Sequence, residues 1–595
     1  PLDPIALPRP EHPRAQFYRE SWRSLNGAWQ FDFDYSDSKK AQGWAEKDSL
    51  PLSITVPFCP ESSLSGLGAT DFVDAVWYRR EVTLTEQELE GRVLLHFGAV
   101  DYHCEVFVNG QAAGSHDGGY ISFTVDITEA AHAGENAVTV YASDHLRTGK
   151  QPSGKQSQQF ASFGCFYTRT TGIWQTVWLE FVPKVYLASL EAVPDPDNGC
   201  VHLRAFTNVP ASGMKLRAVA SLEGREAGEA AAACTGSCTA FTLPLSETAL
   251  WEPGSPRLYD LALTLESGEG KAADKVSSYF GLRKIELQDG AVKINGKPVF
   301  QRLVLDQGFY PDGIYTAPSD EALQQDIRLS MEMGFNGARL HEKVFEERFL
   351  YWADRMGYLV WGEFPNWGLN IAEADALCTV LPQWLEEVKR DFNHPALIGW
   401  CPFNETWDFN GHPQDNRVLS GIYYATKAAD PTRPVIDTSG NFHVVTDIYD
   451  VHDYEQDPEV FYKRYADNPE PYETHPQRQR YGGQPYFVSE YGGTWWNAEE
   501  AATQRVRMEN GEGGLTGWGY GARPLTEEEA GKRIAALTKA LLDDPKMCAY
   551  CYTQLTDVEQ EQNGLYTYDR KPKFSEAVYQ VIREGFAAPA AIEKK

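Results

Sequence analysis

The sequence predicts a multidomain chain of β and α/β class. It reads as a jelly roll over residues 1–183, an immunoglobulin-like β-sandwich over 184–283 and a (β/α)8 barrel over 284–595. Two observations predict this order. Short runs rich in β-branched and aromatic residues, separated by turn signals, fill the chain to about residue 283 with no convincing helix between them. From there on such runs alternate with helical segments, which is the grammar of βα units. A length of 595 residues accommodates three large domains.

In the first domain, Val93–Phe97 and Cys104–Gly110 read as strands. Asn109-Gly110 is a pair suited to a two-residue hairpin, because both turn residues need positive φ. Phe123–Asp126, Ala137–Tyr141 and Gly172–Glu180 continue the pattern. The second domain repeats it in about 100 residues, with strands at Val201–Phe206, Lys215–Ala220 and Tyr259–Leu265. In the third, a hairpin at Asn295-Gly296 precedes a first strand over Pro298–Val304. Ser319 caps a helix whose first acids, Asp320 and Glu321, suit the positive end of its dipole. Leu323, Ile327 and Met331 share one face of that helix. Further strands are predicted at Gly337–Leu340, Tyr358–Glu363, Leu397–Phe403, Val435–Ile436, Ile448–His452, Pro485–Ser489 and Met547–Tyr552. Helices are predicted at Phe345–Met356, Leu381–Arg390, Val418–Ala429, Glu527–Leu542 and Ser575–Glu584. Eight regular strand–helix units favour a closed barrel over an open doubly wound sheet.

Composition narrows the function. With 42% hydrophobic and 23% charged residues the chain is not expected to be disordered. Its net charge of −30 repels phosphate backbones and anionic lipid, so neither nucleic acid nor a membrane is an expected partner. There is no apolar run long enough for a membrane span. The ten cysteines are scattered, and the close pairs Cys548/Cys551 and Cys234/Cys238 lack the second pair a zinc site needs. Pro1–Ile5 carries no charged-then-apolar leader pattern. A reducing, cytoplasmic location is the resulting expectation.

A barrel of this kind presents chemistry at the C-terminal ends of its strands. Asn404-Glu405 follows the predicted fourth strand, and Glu490 follows the seventh within Phe487–Gly493. Three units of about 30 residues separate them, which puts the two acids on opposing sides of one mouth. Two facing carboxylates are the equipment of glycoside hydrolysis: one protonates the leaving oxygen, the other attacks the sugar or activates water. A lone Glu after a strand is ordinarily a solvated loop residue. A pair set among Trp400, Trp407, Trp495 and Trp496 is costly to bury unless it works.

On these residues the chain resembles glycoside hydrolase family 2, which includes β-galactosidases, β-glucuronidases and β-mannosidases. Gly172–Leu179 resembles the motif that closes the family's first domain, and Asn393-His-Pro395 the stretch shortly before its acid/base. Asn404-Glu405 resembles the acid/base motif and Ser489-Glu490-Tyr491 the nucleophile motif. The resemblance covers nearly the whole chain. It implies a sugar-binding jelly roll, an immunoglobulin-like domain and a catalytic TIM barrel. It also implies a retaining double displacement, with Glu490 as nucleophile, Glu405 as acid and then base, and Asn404 bonded to the sugar 2-hydroxyl. Arg339 holds the place of a family Arg that orients the nucleophile, and His341 stands two positions on where the family has a His three on. Tyr454, after strand six, matches a Tyr that the family places near the nucleophile. Asp306, Glu363, Trp367 and His452 also fall at strand ends, and Asp306, Trp367, His452 and Trp495 complete the expected substrate-binding set.

The resemblance also bears on the sugar. Family glucuronidases grip the carboxylate with an Asn-x-Lys motif. The matching place here is Glu561-Gln-Asn563, which lacks the Lys and carries an acid that repels an acidic sugar. Lys343 is a loose alternative contact for an anion. The large β-galactosidases hold magnesium with a Glu and a His after strand three. Glu363–Asn370 offers no His at that offset, so no metal or other cofactor is expected. The reading is therefore an exo-acting retaining glycosidase on terminal β-linked neutral sugars, β-galactosides first. β-Glucuronidase, β-glucosidase, β-mannosidase and α-L-arabinosidase are the alternatives within the family, and a non-catalytic carbohydrate-binding protein the one outside it. The expected partner is an oligosaccharide or glycoside, and the resemblance implies a homo-oligomer, dimer or tetramer. The two carboxyls should lie about 5–5.5 Å apart. Glu405 should be the neutral member at neutral pH, its ionisation opposed by Glu490 and by an apolar Trp407.

Overall fold

A computed structural model describes residues 7–498 and 517–594, so Pro1–Ile5, read above for a leader, lie outside the described residues. The first sandwich packs a six-stranded antiparallel sheet against a four-stranded one. Phe31, Tyr78, Val93, Leu95, Val106 and Val140 meet between the sheets, alternate residues of their strands pointing inward. Asn109 and Gly110 have φ of 53° and 78° and turn His103–Val108 into Gln111–Asp117, as the sequence predicts. The second sandwich pairs sheets of three and four strands. Leu216, Ala218, Ala220 and Leu222 bury one face of the strand Lys215–Leu222 against Val201, Leu203 and Leu243.

The third domain is a curled sheet of seven parallel strands among the described residues. In sheet order they are Leu397–Cys401, Leu359–Glu363, Gly337–Leu340, Gln301–Asp306, Met547–Thr553, Tyr486–Gly492 and Tyr449–Asp453. The predicted strand at Val435–Ile436 is absent as a strand. Its place is taken by two parallel bridges, Trp400 to Val435 and Asn404 to Ser439. Pro434, which has no N–H, and Gly440, at φ 86°, bracket a segment too short to propagate a ladder. Side chains close the remaining gap: Ser439 Oγ and the Gly440 amide both bond Asp450, at 2.7 and 3.0 Å.

Ser319 caps the helix Asp320–Glu332 as the sequence predicts, accepting from the Ala322 amide. The helix Ala376–Asp391 begins five residues before the predicted start at Leu381. Pro382 suits a first turn, but here it lies inside the helix, which forgoes one backbone bond. The short helix Pro458–Tyr465, capped by Asp457, carries too little periodicity to be visible in the sequence. No helix among the described residues is long and apolar enough to cross a membrane.

Buried polar residues hold the domains in register. Arg19 bonds Glu180 of the first sandwich at 3.0 Å and Asp274 of the second at 2.8 Å. The Asn393-His-Pro395 stretch docks the second sandwich: Asn393 bonds the Leu190 carbonyl and the Ala192 amide, and Arg283 bonds the Pro395 carbonyl. The strand leading to Glu405 starts directly after this clamp. A loop of the first sandwich lies against the barrel mouth. Ser153 and Gly154 donate to the carbonyls of Trp367 and Pro365 at 2.7 and 3.1 Å, and Asn370 donates to that of Gly149 at 2.8 Å. A Cβ on Gly154, which has φ 52°, would sit 2.4 Å from the Glu342 carbonyl, so glycine permits this approach.

Candidate active site

Glu490 stands within the strand Tyr486–Gly492, and Glu405 lies just past Leu397–Cys401 in the left-handed region, at φ 43°. Their carboxyl oxygens approach within 4.8 Å, with His452 between them. His452 Nδ1 is 2.7 Å from Glu405 Oε1 and 3.3 Å from Glu490 Oε2. An inverting pair stands about 6.5–9.5 Å apart, so this spacing has the retaining geometry.

Arg339 is the buried hub. Its guanidinium donates to Glu363 at 2.5 Å, the Ser489 carbonyl at 2.8 Å, Glu490 at 3.1 Å and Asn404 Oδ1 at 3.1 Å. Burial would discharge it, but Glu363 and Glu490 outweigh that and hold its pKa well above the ordinary value. Glu363 is drawn down to about 2, against its burial, by Arg339 and by His341, whose Nδ1 lies 3.0 Å away. Both oxygens of Glu363 are thus engaged, by Arg339 and by His341. Tyr454 donates to Glu490 Oε2 at 2.5 Å, and its ring stacks on Tyr520 with centroids 3.4 Å apart. Trp367 Nε1 and Asn366 Nδ2 both bond the Asn404 carbonyl, at 3.1 and 3.0 Å. With Oδ1 on Arg339, Asn404 Nδ2 is buried without a partner among the described residues.

Glu405, expected to be neutral, is held down to about 2. Burial opposes this, but His452, Lys155 and the Trp407 indole all favour its charge. Trp407 is no desolvating wall: it is 51% exposed and donates to Glu405 Oε2 at 3.1 Å. The pKa of His452 is raised, against its burial, by Glu490 and Glu405. The pair thus favours a charged Glu405 beside a His452 biased toward its protonated form. Two strand ends place that imidazole between the acids, an arrangement that chain order does not reveal.

The structure thus gathers Glu405, Glu490, Asn404, Arg339, His341, Trp367, His452 and Tyr454 into one cluster. Asp306 is elsewhere in the barrel end. It accepts from the Gly308 amide at 2.9 Å and is pushed to about 7 by burial and by Asp326, with no bond to the pair. Trp495 bonds neither acid; its indole N–H has no partner among the described residues, and Arg523 lies 5.5 Å over its ring. Lys343 donates to the carbonyls of Gly308 and Tyr315 at 2.5 and 2.7 Å, bonds neither acid of the pair, and is drawn down to about 7 by burial.

Around Glu561 and Asn563 the structure assembles a second group whose other members the sequence did not indicate. Glu561 accepts from Tyr167 at 2.5 Å and from Asn563 at 2.9 Å; Asn563 accepts from Gln554, and Gln307 reaches both Gln554 and Tyr167. Tyr167, like Lys155, belongs to the loop of the first sandwich, more than 390 positions from Glu561 in the chain. For Tyr167 and Lys155 the sequence signal is no more than a lysine and a tyrosine in an aromatic, glycine-containing loop.

Comparison with known proteins gives the kinship. Residues 285–586 match the profile described as glycosyl hydrolases family 2, TIM barrel domain. Residues 69–175 match the galactose-binding domain-like profile of the same family, and residues 215–283 the profile described as glycosyl hydrolases family 2. A putative β-glucuronidase of Formosa agariphila is 29% identical over 370 residues, which is 60% of this chain and 44% of that protein. The β-glucuronidase of Felis catus is 27% identical over 71% of this chain and 69% of its own. Among solved structures, the β-glucuronidase of Ruminococcus gnavus in complex with D-glucuronic acid superimposes with a TM-score of 0.78 at 18% identity, covering 98% of this chain and 100% of that one. A β-glucuronidase of an uncultured Clostridium sp. gives 0.74 at 21%, covering 96% and 98%.

These relatives overturn the expectation of a neutral sugar, β-galactosides first. The expectation rested on Glu561 as a repelling charge and on a lysine missing beside Asn563. In the folded chain both Glu561 oxygens are bonded, and burial raises its pKa toward the neutral form, so it repels an acidic sugar less than the sequence suggests.

Proposed function

The chain belongs to glycosyl hydrolase family 2, and we propose that within it the protein is a retaining β-glucuronidase, hydrolysing terminal β-D-glucuronides by double displacement. The carrying observation is the pair Glu405/Glu490, within 4.8 Å and bridged by His452. Glu490 is the nucleophile, aimed by Arg339 and Tyr454. Glu405 delivers a proton to the leaving oxygen and then takes one from water. The unpartnered Asn404 Nδ2 serves the sugar 2-hydroxyl, a bond that strengthens as charge builds on the ring. An intact pair of facing acids speaks against a purely sugar-binding protein.

A panel of 4-nitrophenyl β-D-glycosides tests the reading. The glucuronide should be turned over with kcat/KM at least about 100-fold above the galactoside, glucoside and mannoside, since a site built for a charged substituent rejects analogues lacking it. NMR should show the β-anomer of the sugar as first product. A preference for a neutral glycoside refutes the sugar assignment, and an α-first product refutes retention.

His452 supplies a pH prediction. The raised pKa of His452 and the lowered pKa of Glu405 describe one proton shared by the pair, so that proton is kept as pH rises past the ordinary imidazole value and lost above it. Its loss disarms the acid and forms the alkaline limb of the pH–rate profile. In His452→Gln a carboxyl alone must hold the proton. The alkaline limb should move down by about a unit or more, toward the carboxyl range, and kcat should fall by about 100-fold. An unmoved limb would show that His452 does not share the proton.

A further inference from the structure

We infer that Lys155, contributed by the first sandwich and not by the barrel, is the cation that binds the carboxylate of the substrate's sugar ring. This rests on the glucuronide reading above and names the residue that makes it specific. An anionic ring needs a cation that is in the pocket and not already engaged. Arg339 is in the pocket, but its donors are distributed over Glu363, Ser489, Glu490 and Asn404. Lys343 is bonded to two carbonyls.

Lys155 differs from both. It is 6% exposed, yet among the described residues its ammonium makes no hydrogen bond and no ion pair. What holds it is the face of Trp367, with Nζ 3.9 Å from the ring centroid. Trp367 in turn bonds the carbonyl of Asn404, next to Glu405. An ammonium held on an aromatic face with its donor positions open can take a ligand, and a carboxylate is the partner that matches its charge.

The position is built. The bonds from Ser153 and Gly154 to the carbonyls of Pro365 and Trp367 fix the backbone just before Lys155. The Lys155 carbonyl accepts from Tyr167, and Gln156 bonds Asp101 and Tyr120 just after it. Burial would depress the pKa of Lys155, but Cys165, Glu342, Glu561 and Glu490 raise it, so it stays charged. Its charge is thus within electrostatic reach of both the proposed nucleophile and Glu561. Glu561 is bonded to Tyr167 and Asn563 and pushed toward neutrality by burial, so it opposes a substrate carboxylate less.

The test compares three aryl substrates that differ only at C6: the 4-nitrophenyl β-D-glucuronide, the glucuronamide and the glucoside. Wild-type enzyme should favour the acid over the amide by about 100-fold or more. In Lys155→Met, which keeps the aliphatic contact with Trp367, that ratio should collapse toward one because kcat/KM on the acid falls by about 100-fold, the weight of a charge-assisted bond. Lys155→Arg should restore much of the ratio, which a merely structural lysine would not require. Lys155→Gln gives the same readout should the Met variant not fold. An equal fall on all three substrates overturns the assignment and leaves the glucuronide reading intact. A wild-type enzyme that shows no preference for the acid overturns both.

Discussion

Glu490→Ala loses about 10⁴-fold or more in turnover on glycosides, the scale on which removing one member of a catalytic unit acts. Added azide then restores part of the rate and releases a glycosyl azide of inverted, α configuration. The physical reason is the space the carboxylate leaves. A small anion enters beside Arg339 and Tyr454, which otherwise hold Glu490 at 3.1 and 2.5 Å, and attacks the face of the sugar that Glu490 would have attacked. Only one displacement follows, so the configuration inverts. The fold should survive, because Arg339 keeps Glu363 as its counter-ion and no buried charge is stranded. Rates with and without azide, with NMR of the product, decide it. Residual activity above about 1% of wild type, or azide rescue with retained configuration, assigns the attack to another group.

Glu405→Ala carries the second large effect, and its signature lies in the leaving group. Substrates whose alcohol cannot depart without a proton should slow by about 10³–10⁴-fold, while 2,4-dinitrophenyl glycosides should slow far less in the first step. The second step also loses its general base. On the activated substrate the glycosyl-enzyme should therefore accumulate, which lowers kcat and KM together and gives a burst of dinitrophenol. The partner groups explain why no neighbour takes over. His452 faces Glu405 through Nδ1, and its Nε2 lies 2.9 Å from Ser439, so it points its protons at the acids and the barrel wall. If this variant shows azide rescue with inversion and Glu490→Ala shows the leaving-group dependence, the roles of the two carboxylates are exchanged.

Much of the molecule was written in the chain itself. Period-two burial marks the strands of both sandwiches, and alternating strand and helix signals mark the barrel, because secondary structure follows local periodicity and caps such as Ser319. The facing acids were legible as well: a barrel brings successive strand ends to one mouth, so Asn404-Glu405 and Ser489-Glu490-Tyr491 had to converge once their strands were recognised. Tertiary structure decided the rest. Val435–Ile436 closes the ring through bridges, because Pro434 and Gly440 deny it a ladder. Asp306 and Trp495 stand at strand ends yet make no bond to the pair, since a position along a strand does not say where a side chain's partners are. Glu405 is held toward its charged form, not its neutral one, because a pKa follows from distances of a few ångströms between residues far apart in sequence, here those to His452. The sugar was misread for the same reason. The sequence shows an acid and a missing lysine beside Asn563, whereas the fold bonds that acid to Tyr167 and brings Lys155 from another domain onto Trp367. Motifs along a chain record local contacts, while charge in a pocket is the sum over every segment that folding brings there.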